Sequence, residues 1–419
     1  MDQQTPEALI FVETGRGEFG MRPLLEAKRL GLTTLLLART PEIYLSSERD
    51  RELCERAVDE MVPVDTRRLE EVVESLSARA DSFRYVGVFS ALDYFMPMAA
   101  RAAEALGLPG ATPAAVESAR DKAAMRKVTH GAGVPTPTHR YVSSTDELLT
   151  AVEEIGLPVI VKPPTDAAGI GVQLCIDASA AAAHFADLRS RPSNMRGQDT
   201  DGGVLVEQYL IGMDIGIDMI DTGSERVLLG LTDEYSTGSP LYIENGETFP
   251  SVLPSSVRDA CVEVANAALD ALGFHFGASH VEVKVTNDGP FLIEVNPRMG
   301  GGGIPEMIEL STGINAVREL LRLHVGWIPD LRHRHSRAAA SKSVIAHAAG
   351  TFIGFEGLER AALHPGFHSF VPFASPGAEI AEAVDDRADL GYAIYVGETP
   401  GEAERRASAG IGEIAASIR

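Results

Sequence analysis

The sequence predicts an α/β protein that begins with a doubly wound parallel domain, and three observations support this fold class. Strand-like and helix-like segments alternate near the start of the chain, which is the pattern of βαβ units. A second series of α/β segments follows a stretch rich in Pro and Ala. Residues 279–298 alternate between apolar and polar types on both sides of a Gly-containing turn, which predicts a β-hairpin. With 419 residues, the chain is long enough for two or three domains with their own cores.

Composition and charge indicate a globular protein and argue against two classes of partner. Hydrophobic residues make up 45% of the chain and charged residues 23%, as in ordinary globular proteins. The formal net charge of −23 argues against nucleic acid and anionic membranes, because phosphate binding needs a basic surface. No apolar run approaches the length of a membrane span, and the polar start MDQQTPE is unlike a signal peptide. Three widely spaced cysteines fit a reducing compartment, so we expect a cytoplasmic protein.

The first unit is predicted from an alternation of short apolar runs and amphipathic segments. Predicted strands alternate with predicted helices in the order 8–12, 22–31, 33–38, 86–90 and 95–106. Such an alternation is typical of a parallel, doubly wound sheet.

A G-x-G-x-x-G sequence, GRGEFG at 15–20, lies between the first predicted strand and helix. This sequence occurs in dinucleotide-binding folds. However, Arg39 stands where an acidic residue would hold the ribose; an Arg there could favour NADP, but no hydride-transfer site follows in the chain. We therefore favour a tight structural turn, or part of a surface for a second substrate, over a nucleotide site.

The second unit begins after 109–118, a Pro- and Ala-rich stretch that we interpret as a linker. A helix is predicted at 119–130, and it carries Lys122. A strand ending at Lys162 precedes 165–171, a loop of small residues. Small residues let backbone amides approach an anion and a neighbouring Lys adds charge, but a plain hairpin connection explains the loop about equally well.

The middle of the chain carries several acidic residues on predicted strands. Strand 204–210 holds Glu207, and strand 214–220 places Asp214 and Asp218 on one face. Residues 232–250 are rich in Gly, Ser and acids, which predicts a long loop.

The hairpin at 279–298 carries the strongest chemical signal. Glu282 and Glu294 are equally far from Asp288 at the centre of the turn, so they are predicted to face each other. Facing carboxylates repel, and one would become protonated unless a cation lay between them. Asn296 adds a neutral oxygen to a set that suits Mg²⁺ rather than zinc, and Arg298 can bind a phosphoryl group or a carboxylate. The alternative is the solvated outer face of an edge hairpin.

The end of the chain is predicted to form a small α+β domain. Four glycines and a short helix follow Arg298. Short strands and a last helix are predicted at 342–347, 393–396 and 402–418.

Taken together, these motifs resemble the ATP-grasp superfamily, in particular its L-amino acid ligase-like carboxylate–amine ligases. Biotin carboxylase and carbamoyl phosphate synthetase have related folds. The resemblance implies a Rossmann-like N-terminal domain at 1–112, an ATP-grasp domain at 113–328 and a lid-like C-terminal domain at 329–419. The ATP-grasp domain would consist of a glycine-loop lobe at 113–208 and a metal-site lobe at 209–328.

The resemblance implies which residues bind ATP. Lys122 and Lys162 would hold the phosphates, and Gly169 and Gly171 would lie in the flexible loop that folds over them.

The adenosine end of ATP would lie near the hinge between the lobes. The resemblance places Glu207 there beside the adenine, with the Tyr209 backbone nearby. Asp214 would bind the ribose hydroxyls, although relatives more often have Glu at this position.

The resemblance also implies roles at the reacting end of the site. Glu282, Glu294 and Asn296 match the ligands of Mg²⁺, which Mn²⁺ could replace. Arg298 matches the arginine that stabilises the transferred phosphoryl group and orients the substrate carboxylate.

Two further residues have open assignments. Glu247 stands where amino acid ligases often have a His; either Arg298 and the metals alone serve the phosphate, or Glu247 recognises an amino or guanidino group. His280 shares the face of Glu282 and is either a substrate contact or an ordinary core histidine.

The implied activity is ATP-dependent amide formation through an acyl phosphate, joining an amino acid to a second amino acid or amine. One alternative is a carboxylase or purine-pathway-type ligase that uses bicarbonate or a nucleotide, and another is a non-catalytic ATP-binding regulatory module. The expected partners are small molecules, and a homodimer is compatible with the resemblance.

Overall fold

The structure is a computed structural model that describes residues 5–200, 202–238, 242–381, 383 and 385–419. These residues form four β-sheets with helices packed against them.

A four-stranded parallel sheet forms the N-terminal part of the molecule. Its elements, in chain order, are β1 Glu7–Val12, α1 Gly17–Arg29, β2 Thr33–Ala38, α2 Glu48–Ala57, β3 Glu60–Pro63, α3 Leu69–Ser77, β4 Arg84–Phe89 and α4 Met96–Leu106. The strand order is β3-β2-β1-β4, so the direction of winding reverses between β1 and β4. The predicted doubly wound sheet is confirmed, and such a reversal point opens a crevice at the carboxyl ends of the strands.

The predicted linker at 109–118 is wrong in its second half. Pro113–Arg120 forms helix α5, followed by α6 at Lys122–Gly131. Pro113 occupies the first turn of α5, where its missing N–H costs nothing, and alanine favours helix. The Asp121 carboxylate accepts hydrogen bonds from the backbone N–H groups of Ala123 and Ala124 and so caps α6.

A small antiparallel sheet follows, in the order β5-β8-β6-β7. Its elements are β5 His139–Val142, α7 Thr145–Ile155, β6 Val159–Lys162, β7 Gln173–Cys175, α8 Ala178–Arg189 and β8 Val204–Gln208. The two helices pack on the sheet through a shared apolar core. The predicted strand that ends at Lys162 is confirmed as β6.

The largest sheet has eight strands and contains the hairpin. The elements that lead to and follow the hairpin are β9 Met213–Thr222, β10 Arg226–Ser236, β11 Glu244–Phe249, α9 Ser255–Leu272, β12 Phe276–Thr286, β13 Gly289–Asn296, α10 Ile304–Thr312 and α11 Ala316–His324. The C-terminal elements are β14 Ala338–Ile345, β15 Gly350–Glu356, α12 Leu358–Ala361, β16 Phe367–Pro372, β17 Glu379–Ile380, β18 Asp389–Gly397, α13 Pro400–Ile411 and β19 Ala415–Ile418.

The order of the large sheet is β13-β12-β9-β10-β11-β14-β18-β16. Three strands from the C-terminal part of the chain therefore continue the sheet that begins with the hairpin. A separate three-stranded sheet has the order β17-β15-β19.

Two predictions of secondary structure are corrected by this sheet. The loop predicted at 232–250 consists mainly of β10 and β11, because β9 and β14 pair with them on either side. The helix predicted at 402–418 ends at Ile411, and the chain finishes as β19. In the described part of the chain, no helix is both long and apolar enough to cross a membrane.

Candidate active site

The hairpin places its two acidic residues face to face. Across β12 and β13, Glu282 pairs with Glu294 and His280 pairs with Asn296. The Asn296 amide donates to Glu282 Oε1 over 3.0 Å. Although β13 is an edge strand, Asn296 is only 2% exposed, and the side chains of Glu282 and Glu294 are 29% and 15% exposed, so this face is only partly open to solvent.

The two carboxyl groups differ in charge. Burial and the neighbouring charge of Glu294 raise the pKa of Glu282 to about 8. Burial also disfavours the charge of Glu294, but Lys122, whose Nζ lies 2.9 Å from Glu294 Oε1, outweighs it and lowers the pKa of Glu294. Without a cation, one carboxyl group therefore keeps its proton, as expected for facing acids.

This arrangement fits a divalent cation with oxygen ligands. Among the described residues, no three His, Cys, Asp or Glu side chains lie in metal-binding geometry. A cation at Glu282 and Glu294 would thus have two carboxylates and the Asn296 amide oxygen as protein ligands. Mg²⁺ commonly binds in this way, with phosphate oxygens and water completing its shell.

The two lysines predicted to hold phosphates both lie near Glu294, and both favour its charged form. Lys122 begins α6, and its Nζ also donates to the Asp166 carbonyl over 2.7 Å. Lys162 ends β6, and its Nζ lies 2.6 Å from Glu207 Oε2. Each lysine is only 5% exposed.

Two positively charged side chains hold the carboxylate of Glu207. Besides Lys162, the Arg126 Nε donates to its carboxylate. Burial opposes ionisation, but Arg126 and Lys162 together lower the pKa of Glu207 to about 2. The Glu207 side chain is therefore fully engaged within the protein.

The small-residue loop has the backbone of a glycine loop. Gly169 and Gly171 have φ angles of +64° and +73°, a region that favours glycine. A Cβ on Gly169 would lie 3.0 Å from Asp386 Oδ2, so this loop contacts the C-terminal part of the chain.

Of the residues predicted at the adenosine end, Glu207 lies on β8, Tyr209 follows β8 directly, and Asp214 lies on β9. The Tyr209 hydroxyl is 2.6 Å from the hydroxyl of Tyr242. Asp214 is partly exposed, and its carboxylate pairs with Lys284 Nζ at 2.8 Å.

A row of polar residues crosses the large sheet on the face of the acidic pair. Strand register aligns Lys284 of β12, Asp214 of β9, Glu234 of β10, Glu247 of β11 and Ser341 of β14. Because side chains in register share one face of a sheet, the row forms a continuous polar stripe across that face.

His280 is buried on this same face of the large sheet. Its Nδ1 is 3.2 Å from Asp218 Oδ2, and its Nε2 is 3.3 Å from Glu234 Oε1. Burial opposes protonation, but Asp218 and Glu234 outweigh it and raise the pKa of His280 well above its ordinary value. His280 is 4% exposed, and each of its ring nitrogens lies next to a carboxylate. Contact of His280 with the substrate stays a prediction.

Glu247 lies beside the glycine run. Ser341 Oγ donates to its Oε2, and a Cβ on Gly302 would lie 2.8 Å from its Oε1. Burial raises the pKa of Glu247 to about 7 and outweighs the hydrogen bond from Ser341, which lowers it; the nearby charge of Glu234 adds a smaller upward contribution. Its carboxyl group can therefore change charge near neutral pH.

Arg298 is oriented by Asp93. Its Nε donates to Asp93 Oδ2 over 2.8 Å and its Nη1 to the Met299 carbonyl over 2.7 Å. Its Nη2 makes no hydrogen bond to a described residue, so part of the guanidinium fork remains available for a ligand. Burial opposes ionisation of Asp93, but Arg298 and Arg120 outweigh it and lower the pKa of Asp93.

The sequence did not single out three residues that support this site. Asp93 follows the carboxyl end of β4, where parallel sheets place functional residues, and this position is a usable signal. Glu234 lies on a strand that was predicted as a loop. Arg126 lies on the predicted helix, but its partner Glu207 is distant in sequence.

Three family profiles match the chain. Residues 24–110 match the ATP-grasp N-terminal domain, residues 155–306 the ATP-grasp domain, and residues 343–419 the L-amino acid ligase C-terminal domain 2. The chain belongs to the ATP-grasp superfamily and is of the L-amino acid ligase type. The family predicted from the sequence is thereby confirmed.

Curated relatives agree with this assignment. The uncharacterized protein y4rH of Sinorhizobium fredii is 32% identical over 398 residues, which are 95% of this chain and 80% of the relative. The alanine–anticapsin ligase of Bacillus subtilis is 30% identical over 268 residues. That match covers 60% of this chain and 56% of the ligase, so the chain spans little more than half the length of that relative.

A solved structure confirms the fold class. The L-amino acid ligase from Bacillus licheniformis superposes with a TM-score of 0.84 at 22% identity and covers 100% of both chains. With the family matches, this confirms the ATP-grasp fold. The family matches and the ligase among the curated relatives also confirm, at a coarse level, the predicted enzyme class of an ATP-dependent C–N ligase.

Proposed function

We propose that this ATP-grasp protein joins the carboxylate of an amino acid to a second amino acid or amine, through an acyl phosphate. The observation that carries the proposal is the facing pair Glu282 and Glu294, with Lys122 on one side and the free fork of Arg298 nearby. In this proposal, the set would bring groups that bind a cation, a phosphate and a carboxylate around one space.

The roles of the individual residues belong to this proposal. Glu282, Glu294 and Asn296 would hold Mg²⁺, which neutralises phosphate charge when bound. Lys122 and Lys162 would position the phosphates of ATP.

Arg298 would hold the substrate carboxylate through its free Nη2, since Asp93 already fixes the other side of the guanidinium. A carboxylate is a poor acyl donor because its leaving group is oxide, whereas an acyl phosphate releases phosphate. The protein therefore contributes position and charge neutralisation. Closure of the loop at Gly169 and Gly171 would keep water away from the reactive intermediate.

The test is product formation from pooled amino acids. The protein is incubated with ATP, Mg²⁺ and amino acid mixtures, and ADP, phosphate and new masses are measured. We expect equal amounts of ADP, phosphate and a product one water lighter than its two substrates. Phosphate release that requires bicarbonate instead would support the carboxylase alternative, and no release with any mixture would support a regulatory module.

The metal assignment is tested with Glu294→Gln, which removes one charge of the pair and keeps the side-chain shape. We expect product formation to fall at least about 100-fold, because the cation and Lys122 lose their shared carboxylate. Asp288→Asn, in the exposed turn of the same hairpin, is the matched control and should retain activity. Full activity of Glu294→Gln would contradict the metal assignment.

A further inference from the structure

A cavity of about 250 Å³ lies between the parallel sheet and the segment that carries Arg298. One wall comes from residues that follow β1 and β4, and the opposite wall includes residues 297–301. It therefore lies at the point where the winding of the sheet reverses, which is where open α/β sheets bind ligands.

The cavity is mainly apolar, and the side chains that α4 turns toward it are mostly small. Met96, Ala99, Ala100 and Ala103 line it with the spacing of one helix face. Three phenylalanines from two other segments, Phe89, Phe274 and Phe276, contribute to the apolar lining. Protein interiors rarely keep voids of this size, so the small side chains of α4 point to an occupant.

Arg298 and Asp93 line the cavity on the side of the acidic pair. The two side chains pair with each other, and Asp93 Oδ1, which has no hydrogen-bond donor among the described residues, lies 3.6 Å from Arg120 Nη1. The Nη2 of Arg298 therefore remains available for a ligand. Arg22 also lines the cavity, but its guanidinium pairs with Glu309 at 2.9 Å.

His324 lines the cavity beside Phe89 and Phe276. Its Nδ1 donates to the Val88 carbonyl over 2.9 Å, because a carbonyl oxygen can only accept. Burial lowers the pKa of His324 to about 4, so this part of the lining stays uncharged near neutral pH.

The G-x-G-x-x-G turn borders the same cavity. Thr14, Gly15 and Gly20 line it, and Thr14 Oγ1 donates to the Gly20 carbonyl over 2.5 Å. A Cβ on Gly20 would lie 1.9 Å from the Gly15 carbonyl carbon, so the two ends of the turn pack backbone to backbone. The turn thus forms part of the cavity wall, which supports the second-substrate surface over a dinucleotide site.

We infer that this cavity binds a bulky apolar side chain, branched aliphatic or aromatic, of the carboxylate substrate, whose carboxylate lies at Arg298. This inference rests on the proposed function and names its acyl substrate class. A cavity of roughly 150 Å³ lined by apolar residues already admits benzene, so 250 Å³ accommodates a phenyl or isobutyl group. Sites for drug-sized ligands are larger, roughly 300–1,000 Å³.

The first test uses the unaltered protein with single carboxylate donors. Glycine, alanine, leucine and phenylalanine are compared with a fixed amine, ATP and Mg²⁺, and kcat/KM is measured for each. We expect leucine or phenylalanine to exceed glycine by at least about tenfold, since one or two buried methylenes are worth that much. Equal or better use of glycine would overturn the inference while leaving the ligase proposal intact.

The second test fills the cavity. Ala99→Leu should lower kcat/KM for phenylalanine at least about tenfold more than for alanine, because the added side chain occupies the space of the large substituent. Ala105→Leu makes the same change on the exposed face of α4 and should change neither value. An equal loss for both substrates in Ala99→Leu would overturn the inference.

A binding measurement guards against a folding defect. Phenylalanine should raise the melting temperature of the unaltered protein more than glycine does, and Ala99→Leu should lose this difference while keeping a cooperative transition. Retention of the difference in Ala99→Leu would count against the cavity as the binding site. Absence of ADP formation with every donor would instead refute the proposed function itself.

Discussion

At the scale of single residues, the buried group of Glu207, Arg126 and Lys162 shows how strongly neighbouring charges shift the pKa of a side chain. The folded-state pKa of Glu207 is about 2, well below the value of an exposed Glu. A carboxylate with a lowered pKa stabilises the fold above its unfolded-state pKa and loses that contribution as the pH falls. The contribution of Glu207 to the free energy of unfolding is therefore lost between about pH 4.5 and about pH 2, and it is on the order of 3 kcal/mol.

Glu207→Gln should destabilise the protein by roughly 3–5 kcal/mol at pH 7, because Arg126 and Lys162 remain buried without their counter-charge. The difference from the unaltered protein should shrink as the pH falls from 4.5 toward 3. Urea unfolding at pH 7, 5 and 3.5 measures both effects.

The matched control is Glu154→Gln, which breaks an exposed pair with Arg140. Exposed pairs contribute about 0–1 kcal/mol, so this variant should unfold almost like the unaltered protein at every pH. Equal destabilisation by the two variants would contradict the special role of the buried group.

At the scale of elements, the turn between β1 and α1 depends on contact between two glycines. Gly20→Ala should destabilise the protein by about 2 kcal/mol or more, since the new Cβ would overlap the Gly15 backbone. Gly131→Ala, near the end of α6, meets no atom within 4 Å and should be neutral or stabilising by up to about 1 kcal/mol. Urea unfolding compares the two, and a stable Gly20→Ala would show that the turn is looser than the structure indicates.

Elements stabilised by local patterns were predictable, and elements stabilised by distant partners were not. The hairpin was found because turn and alternation lie within one segment, so its register brought Glu282 opposite Glu294 as predicted. The sequence of β10 and β11 is typical of a loop. These segments form strands because they pair with β9 and β14 on either side.

The same distinction applies to the site. Arg298 was recognised from its place after the hairpin, but Asp93, which orients it, lies 205 positions away in the chain. No local pattern links two such residues. Helix α5 was missed for a different reason, because Pro and Ala suggested a linker although both suit the start of a helix.

At the scale of the whole molecule, the large sheet joins the hairpin to the C-terminal strands. Residues of β11, including Glu247, pair with β14, which pairs in turn with β18. Removal of the C-terminal part would leave β11 as an open edge, and open edges promote aggregation.

A chain that ends at Arg337 should therefore be recovered mainly as aggregate, measured by size-exclusion chromatography after expression. A full chain with a short Gly-Ser insertion between Arg332 and His333 is the control, since this connection is exposed and lacks regular structure. It should elute as a folded species. A well-folded truncated protein would show that the C-terminal strands are dispensable.

The residues of the polar row across the large sheet also have a fixed spacing. Neighbouring strands are held about 4.8 Å apart by their backbone hydrogen bonds, and three such steps separate β12 from β11, so roughly 14 Å lies between the strands of Glu282 and Glu247. Substitutions cannot stretch that spacing. A change of substrate length in proteins built on this sheet must therefore come from side chains and connecting loops, and redesign of the enzyme should begin there.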